Sequence, residues 1–204
     1  NGISEVFDWF SENKLWLPVL GQCWEGYIVP AENAPAKNHR VDYFKTVFYD
    51  ENYLYEWAQN SLNIYDVKHG QQLYSITYES DQWYLMGNCA ILKDGILYFA
   101  QLYNGYAYPG TCFLMAYDVE YDKVIWRSED QTCNSMNFLV KDDIIICGYG
   151  FTDEKDYIYQ IDRNTGKTVS KTEVKKMPDM LAGKGGQLYV HTYSYDYVFE
   201  LGER

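Results

Sequence analysis

Short apolar runs alternate with polar turns along most of the chain, and one such unit recurs. It consists of two or three apolar residues, a polar turn, and a strand rich in Leu, Ile and Tyr. Four copies begin at Val47, Ala90, Phe138 and Leu181, spaced about 45 residues apart. Because alternation of apolar and polar positions has the period of a β-strand, each copy predicts two strands joined by a tight turn.

A second unit follows the first three copies in phase. Its segments begin at Leu62, Leu114 and Ile158, and each contains alternating apolar positions, an Asp, a turn and a further apolar strand. Gly and Asp accept the backbone angles of tight turns, so this unit predicts another hairpin. The turns are centred on Gly70, Asp122 and Gly166.

Together the two units predict four short antiparallel strands per repeat, which is the outline of a β-propeller blade. A single blade cannot cover both of its own faces, so neighbouring blades must pack on one another. The sequence therefore predicts an all-β propeller of about five four-stranded blades, four of them clear, in one domain over residues 1–204. The approximate repeats are 5–45, 46–89, 90–135, 136–178 and 179–204.

Aromatic content is the unusual feature of the composition. Hydrophobic residues make up 47% of the chain and charged residues 23%, but 18% are aromatic, with 22 Tyr and 6 Trp. Tyr and Trp favour strands, and they also favour binding surfaces because each joins a large apolar face to a polar tip. No apolar run approaches the roughly 20 residues that a membrane-spanning helix needs.

The chain is strongly acidic, with a formal net charge of −12. A field of this sign repels phosphate backbones, so the charge argues against nucleic acid as a partner. It attracts basic proteins and cations instead.

Cysteine usage bears on location. There are five cysteines and no Cys-x-x-Cys pair, so at least one thiol is unpaired within the chain. Cys89 and Cys147 adjoin apolar strand-like runs and are expected to be buried. Unpaired thiols favour a cytoplasmic location, while a secreted or periplasmic one stays open if the N-terminus is processed.

The third hairpin reads IYQIDRNTGKTV at 158–169 and is preceded by KDDIII at 141–146. It resembles the quinoprotein-like repeat, whose pattern is a Leu-Asp-x-x-Thr-Gly-Lys turn followed by a strand that often contains Trp. The likeness covers residues 46–201 and implies a propeller, a fold that WD-type and kelch-type repeats share. Quinone-dependent dehydrogenases of this family have about eight blades and hold their cofactor with calcium at the axis, whereas this chain has fewer repeats. The resemblance thus implies the fold without the chemistry, and we expect no cofactor. The matching residues are Ile161, Asp162, Thr165, Gly166 and Lys167, with Trp126 and Tyr74 at the Trp position of earlier copies.

Residues typical of catalysis or metal binding are sparse. His39, His69 and His191 are far apart in sequence and lack nearby ligand-like partners, which argues against zinc. Acidic residues cluster at 118–122 and 153–156, without the Asp-x-Asp-x-Asp-Gly spacing of a calcium loop. There is no Gly-x-Ser-x-Gly elbow and no phosphate-binding glycine loop. We expect a non-catalytic protein without a bound metal.

Aromatic side chains gather in segments predicted to be loops at one face of the propeller. Such residues commonly anchor interfaces, so the sequence predicts a binding face there. The alternative is that they fill the central channel and cover blade edges. The predicted face consists of Trp57, Trp83, Tyr84, Tyr103, Tyr106, Tyr108, Tyr149, Phe151, Tyr193 and Tyr195.

Two functions are consistent with such a face. One is binding of a protein, with a basic partner matching the charge, by a scaffold or by an inhibitor- or immunity-type protein. The other is binding of carbohydrate, since sugars stack on Tyr and Trp. A lectin built from repeats should carry the same residues on every blade. The loops read EWAQNS, QLYNGYAYPGTC, GYGFTDEKDY and HTYSYDY, and this unevenness favours a protein partner.

Overall fold

The computed structural model describes residues 46–49, 52–58, 61–66, 69, 71–77, 90–101 and 109–202. These residues form fifteen β-strands in four antiparallel sheets, and none of them is helical. Within this part of the chain there is accordingly no helix that could cross a membrane. The predicted first repeat, residues 5–45, lies outside the described residues.

Each sheet is a meander in which strand order follows the chain. The first sheet contains β1 (Thr46–Tyr49), β2 (Tyr53–Ala58), β3 (Ser61–Asp66) and β4 (Gln72–Thr77). The second contains β5 (Ala90–Lys93), β6 (Ile96–Gln101), β7 (Phe113–Asp118) and β8 (Lys123–Arg127). The third contains β9 (Leu139–Lys141), β10 (Ile144–Tyr149), β11 (Asp156–Asp162) and β12 (Thr168–Val174). The fourth contains β13 (Pro178–Lys184), β14 (Gln187–Thr192) and β15 (Asp196–Glu200).

This arrangement confirms the predicted fold class, an all-β protein of antiparallel blades, with four strands in three of the described sheets and three strands in the fourth. Strands β1–β4 belong to one compact unit of the chain, and β5–β15 belong to a second. A single domain over residues 1–204 stays a prediction.

The turns between the first and second strands fall where the sequence predicts them. Asp94 and Asp142 have φ angles of 55° and 52°, in the left-handed region that Asp enters more readily than most residues. In the fourth sheet Gly185 and Gly186 occupy the same turn, with φ angles of 57° and 80°. In the second, third and fourth sheets the chain therefore reverses at the end of the first strand without placing a bulky side chain in a strained conformation.

An Asp at the end of the third strand organises the next turn. The Asp162 carboxylate accepts hydrogen bonds from the backbone N–H groups of Asn164 at 3.0 Å and Thr165 at 2.9 Å. Asp118 accepts equivalent bonds from residues 120 and 121, and Asp66 from residue 69. The acidic cluster at 118–122 is thus explained in part by turn formation, and His69 belongs to the same kind of turn, with its Nδ1 2.9 Å from Asp66 Oδ2.

The second and third sheets pack face to face around a shared core. Buried side chains of both sheets meet there, including Leu114 and Trp126 from the second and Ile145 and Ile161 from the third. A second cluster joins the third and fourth sheets. This stacking of successive sheets is what a propeller requires, because it covers the faces that one sheet leaves open.

Trp126 fastens the second sheet to the turn between β11 and β12. Its indole N–H donates to the Arg163 carbonyl oxygen at 2.9 Å, and its ring lies against Gly166. Arg163 donates in turn to the Tyr98 hydroxyl at 2.9 Å and pairs with the Asp94 carboxylate. The Trp and the Gly of the repeat pattern are therefore two halves of one contact between neighbouring sheets.

Three cysteines lie in this part of the molecule. Cys112, Cys133 and Cys147 are buried and are not joined in disulfides. Burial confirms the expectation for Cys147, whereas Cys23 and Cys89 lie outside the described residues.

Candidate functional site

The candidate site is the end of the sheets at which each second strand finishes and each third strand begins. In the unit formed by β5–β15, this loop end comprises residues 109–112, 128–138, 150–155, 175–177 and 193–195. The hairpin turns with Asp94, Asp142 and Gly185 lie at the opposite end of their sheets, the turn end.

Five of the ten aromatic residues predicted for the binding face lie outside the described residues. These five are Trp83, Tyr84, Tyr103, Tyr106 and Tyr108. Trp57 was expected in a loop but lies within β2, because pairing of β2 with β3 continues to Ala58 and Ser61 and leaves only residues 59–60 between the strands.

Tyr149 also departs from the expectation of an exposed loop residue. It is the last residue of β10, pairs with Tyr157 of β11, and is only 2% exposed. Its hydroxyl donates to Glu154 Oε2 at 2.6 Å and accepts from Gln131 Nε2 at 2.8 Å. The polar tip is thus satisfied while the ring is buried, so Tyr149 supports the loop end rather than presenting a free ring to a partner.

Burial and the Glu154 contact keep Tyr149 neutral, although the hydrogen bond from Gln131 lowers its pKa. Burial raises the pKa of its hydroxyl well above the ordinary value, and the hydrogen bond to Glu154 raises it further. Beside it, burial raises the pKa of the Cys112 thiol to about 11, so this cysteine is protonated and unreactive at neutral pH. Phe151, also predicted for the face, is half-buried against these two residues.

The segment that connects β8 to β9 is held in place by hydrogen bonds to both neighbouring loops. The Gln131 N–H donates to the Thr111 carbonyl at 2.7 Å, and the N–H groups of Thr132 and Cys133 donate to the Cys112 carbonyl at 2.9 and 3.0 Å. Asn134 Nδ2 donates to the Gly150 carbonyl at 2.7 Å. Asn134 Oδ1 accepts from the Gly150 N–H at 3.1 Å. These bonds make the loop end of the second and third sheets a preorganised surface.

Carboxylates are concentrated on this surface. Glu129, Asp153 and Glu154 are exposed. Half-buried Asp130 accepts a hydrogen bond from the Gly110 N–H at 2.6 Å. We refer to these four residues as the acidic patch. Glu154 is held by Tyr149 and Gln131, so its charge is fixed in position as well as exposed.

Asp156 lies beneath the acidic patch and is itself buried. Its Oδ1 has no hydrogen-bond partner within the described part of the chain. Burial raises the pKa of this carboxyl, while the Phe151 N–H and the charge of Lys176 oppose the rise. Space here is tight, because a Cβ on Gly150 would lie 2.1 Å from Asp156 Oδ1.

Among the residues of the predicted face whose exposure the structure describes, the most exposed lies in the loop between β14 and β15. Tyr193 is 87% exposed, and Tyr195 is 43% exposed. Thr192 closes this turn, because its Oγ1 donates to the Tyr195 carbonyl at 2.9 Å and accepts from the Tyr195 N–H at 3.0 Å. Lys175 Nζ lies 5.1 Å from the centre of the Tyr195 ring. Tyr193 is therefore held out into solvent by a turn that is itself closed.

Residues suited to a metal are not brought together in the part of the chain that the structure describes. It contains no group of three or more His, Cys, Asp or Glu side chains that could hold an ion. His191 Nδ1 lies within hydrogen-bond distance of the Asp196 carboxylate, at 2.7 Å from its Oδ1. Burial raises the pKa of nearby Asp179, and the charge of His191 opposes that rise.

Sequence reasoning missed several residues that build the loop end. Gln131, Asn134 and Glu154 give no aromatic or motif signal, and each acts through a hydrogen bond to a residue far along the chain. The one available signal was the polar run SEDQTCNSMN at 128–137, which is too long for a simple connection and too rich in hydrogen-bonding side chains to be idle.

Comparison with known proteins identifies the fold. No protein-family model and no curated protein matches the sequence. Among solved structures, a chain of a mitotic checkpoint complex matches with a TM-score of 0.57 and 11% identity, over 74% of this chain and 44% of that one. The computationally designed Ika4 protein matches with a TM-score of 0.54 and 13% identity, over 84% of this chain and 99% of that one. Dihydro-heme d1 dehydrogenase NirN matches with a TM-score of 0.54 and 14% identity, over 82% of this chain and 37% of that one.

These matches show that the chain has a β-propeller fold built from repeated antiparallel blades. It spans less than half the length of the checkpoint-complex chain and of NirN. One of these proteins belongs to a protein complex and the other is an enzyme, so the fold is compatible with both binding and catalysis. Function must be argued from the site.

Proposed function

We propose that this chain is a non-catalytic propeller module that binds another protein through its loop end. The observation that carries the proposal is the 87% exposure of Tyr193 on a closed turn, at the same end of the sheets as the acidic patch. An exposed aromatic side chain on a turn whose backbone is already closed requires little further ordering of that backbone when a partner covers it.

Charge indicates what kind of partner fits. Glu129, Asp153 and Glu154 expose carboxylates on this end, and the whole chain carries a net charge of −12. Such a surface speeds the approach of a basic protein and disfavours an acidic one. A scaffold subunit and an inhibitor or immunity protein both use a surface of this kind, and we propose a basic protein as the partner.

The finer family assignment is also a proposal. The Asp162 turn and the contact of Gly166 with Trp126 support membership of the quinoprotein-like repeat group. The predicted residues Trp83, Tyr84, Tyr103, Tyr106 and Tyr108 remain candidates for the same face, whereas Trp57 belongs to the unit that contains β1–β4.

The test is capture of partners from host lysate by the immobilised full chain, followed by mass spectrometry. We expect one stoichiometric basic protein. Tyr193→Ala should no longer capture it, because the substitution should weaken binding by at least about 1 kcal/mol. The matched control is Tyr121→Ala, because Tyr121 is 68% exposed but lies in the β7–β8 turn, away from the loop end. Equal capture by both variants would refute the loop end as the binding face.

A glycan array with the same two variants tests the alternative function, which is carbohydrate binding. Saturable sugar binding that Tyr193→Ala removes and Tyr121→Ala keeps would replace a protein partner with a carbohydrate.

A further inference from the structure

Among the described residues, β15 is the one third strand without a fourth strand paired to its outer edge. Three sheets have four strands, and in the fourth no strand of the described residues pairs with the outer edge of β15. The Leu201 N–H donates to the Gly186 carbonyl, and the Thr192 N–H donates to the Tyr195 carbonyl. Since backbone groups alternate along a strand, the N–H and C=O groups of Asp196, Val198 and Glu200 point away from β14.

Register identifies the residues that correspond to Val198 in the first two sheets. The second and third strands pair Leu54 with Tyr65, Leu97 with Tyr117, and Leu188 with Phe199. The residues immediately before Tyr65, Tyr117 and Phe199 are Ile64, Ala116 and Val198. They therefore occupy equivalent places.

Burial differs sharply between these equivalent places. Ile64 and Ala116 are fully buried, whereas Val198 is 56% exposed. In the first sheet Ile64 lies opposite Tyr74 of the fourth strand, and in the second Ala116 lies opposite Trp126. Val198 therefore lacks the fourth-strand aromatic residue that accompanies its counterparts.

The third sheet shows why an apolar residue here is informative. Its equivalent pair is Gln160 opposite Ser170, and both are polar. In this sheet the polar residue of the third strand lies opposite a polar residue of the fourth strand. Val198 follows the apolar pattern of Ile64 and Ala116, so an added strand should place an aromatic residue opposite it.

The carboxylates at the two ends of β15 indicate which residues fit at the ends of an added strand. Asp196 and Glu200 are exposed on either side of Val198. In the second sheet the place of Glu200 is taken by Asp118, which lies opposite Lys123 of β8, and β8 ends at Arg127. A strand with a basic residue opposite Glu200 and an aromatic residue opposite Val198 therefore matches β15 in the way that β8, KVIWR, matches β7, where Arg127 at the other end lies opposite Met115. The exposed Asp196 favours a second basic residue at the other end of the added strand.

We propose that the outer edge of β15 binds one extended segment of a partner protein, with Lys or Arg at its ends and Trp or Tyr opposite Val198. Main-chain hydrogen bonds to Asp196, Val198 and Glu200 hold the segment, and the aromatic ring covers Val198. A second copy of this chain is a poor occupant, because antiparallel pairing of two β15 strands brings Asp196 and Glu200 against carboxylates of the same sign. This surface adjoins the loop end at Asp196, but the proposal does not depend on binding at the loop end.

The test uses a fluorescein-labelled peptide with the β8 sequence KVIWR, titrated with the full chain and followed by fluorescence anisotropy. We expect saturable binding that weakens at least about tenfold in Val198→Lys, which places a charge under the added strand. The matched control is Val169→Lys, because Val169 is 48% exposed on β12 and away from this edge. It should leave affinity unchanged.

Two altered peptides test the chemistry without altering the protein. KVIAR should bind about fivefold more weakly than KVIWR, and EVIWE should not bind measurably. The proposal is overturned if the unmodified chain shows no saturable binding, as expected when a segment of the chain itself occupies the edge. It is equally overturned if Val198→Lys or EVIWE binds like its parent, or if light scattering shows a dimer that Val198→Lys dissolves.

Discussion

At the scale of single residues, the contact between Gly166 and Trp126 links the repeat pattern to the packing of sheets. Gly166 has a φ angle of 71°, and a Cβ at this position would lie 2.5 Å from the Trp126 ring. The position therefore needs glycine for two independent reasons, its backbone conformation and the space that the indole takes. Gly185 also has a positive φ angle, of 57°, but nothing lies within 4 Å of its notional Cβ.

This difference between two glycines makes a sharp prediction. Gly166→Ala should lower the free energy of unfolding by about 3 kcal/mol or more, since it combines left-handed strain with a clash against a buried ring. Gly185→Ala should cost about 1–2 kcal/mol, from strain alone. Urea unfolding followed by Trp fluorescence measures both. Equal losses would show that the Trp126 contact contributes nothing beyond the turn itself.

Burial of Tyr149 shows what the sequence pattern could not give at this scale. The apolar run that predicts β10 ends at Cys147, and Gly148 and Tyr149 read as the start of a loop. The strand continues because both residues pair with β11, opposite Ile158 and Tyr157. The strand's existence was predictable from local alternation. Its last two residues depend on the register of another strand and on Gln131 and Glu154, which no local pattern connects to Tyr149.

At the scale of elements, a side chain in the connection between two sheets makes the backbone hydrogen bonds that a neighbouring strand would otherwise make. Asn137, which is fully buried, donates from Nδ2 to the Leu181 carbonyl at 2.7 Å. Its Oδ1 accepts from the Leu181 N–H at 2.8 Å. One amide side chain thus satisfies both backbone groups of a residue in β13, and it joins the segment before β9 to the next sheet. The strands themselves were predictable, but this bond spans 44 residues of sequence and could not be read from it.

We predict that Asn137→Ala lowers the free energy of unfolding by about 2–4 kcal/mol, because it leaves a buried N–H and a buried C=O without partners. The matched control is Asn164→Ala, in the exposed β11–β12 turn, where the change should stay within about 0.5 kcal/mol. Thermal unfolding by circular dichroism compares the two. A loss of similar size in both variants would argue that Asn137 contributes no more than its surface counterpart.

At the scale of the whole molecule, charge and exposed apolar side chains act against each other. The chain carries a net charge of −12 with a sequence isoelectric point near 4.6. Its outer strands expose apolar residues, among them Val124 at 52% and Ile125 at 44% on β8. The outer strand of the third sheet exposes mostly polar side chains instead, with Ser170, Lys171 and Glu173 exposed beside Val169 on β12. Repulsion between copies at neutral pH therefore protects an edge that its own side chains do not protect.

Self-association should accordingly be greatest near pH 4.6, where net charge vanishes and the β8 edge is no longer kept apart from that of another copy. Ile125→Lys should reduce light scattering at the variant's own point of zero charge, because it places a charge on the apolar edge. Thr172→Lys adds the same charge to the already polar β12 and should leave scattering at its own zero-charge point unchanged. Reduction of scattering by both variants to the same extent would mean that total charge, rather than the β8 edge, governs association. The distinction matters for function, since the negative field that keeps copies apart at neutral pH is the same field that is expected to favour the basic partner proposed for the loop end.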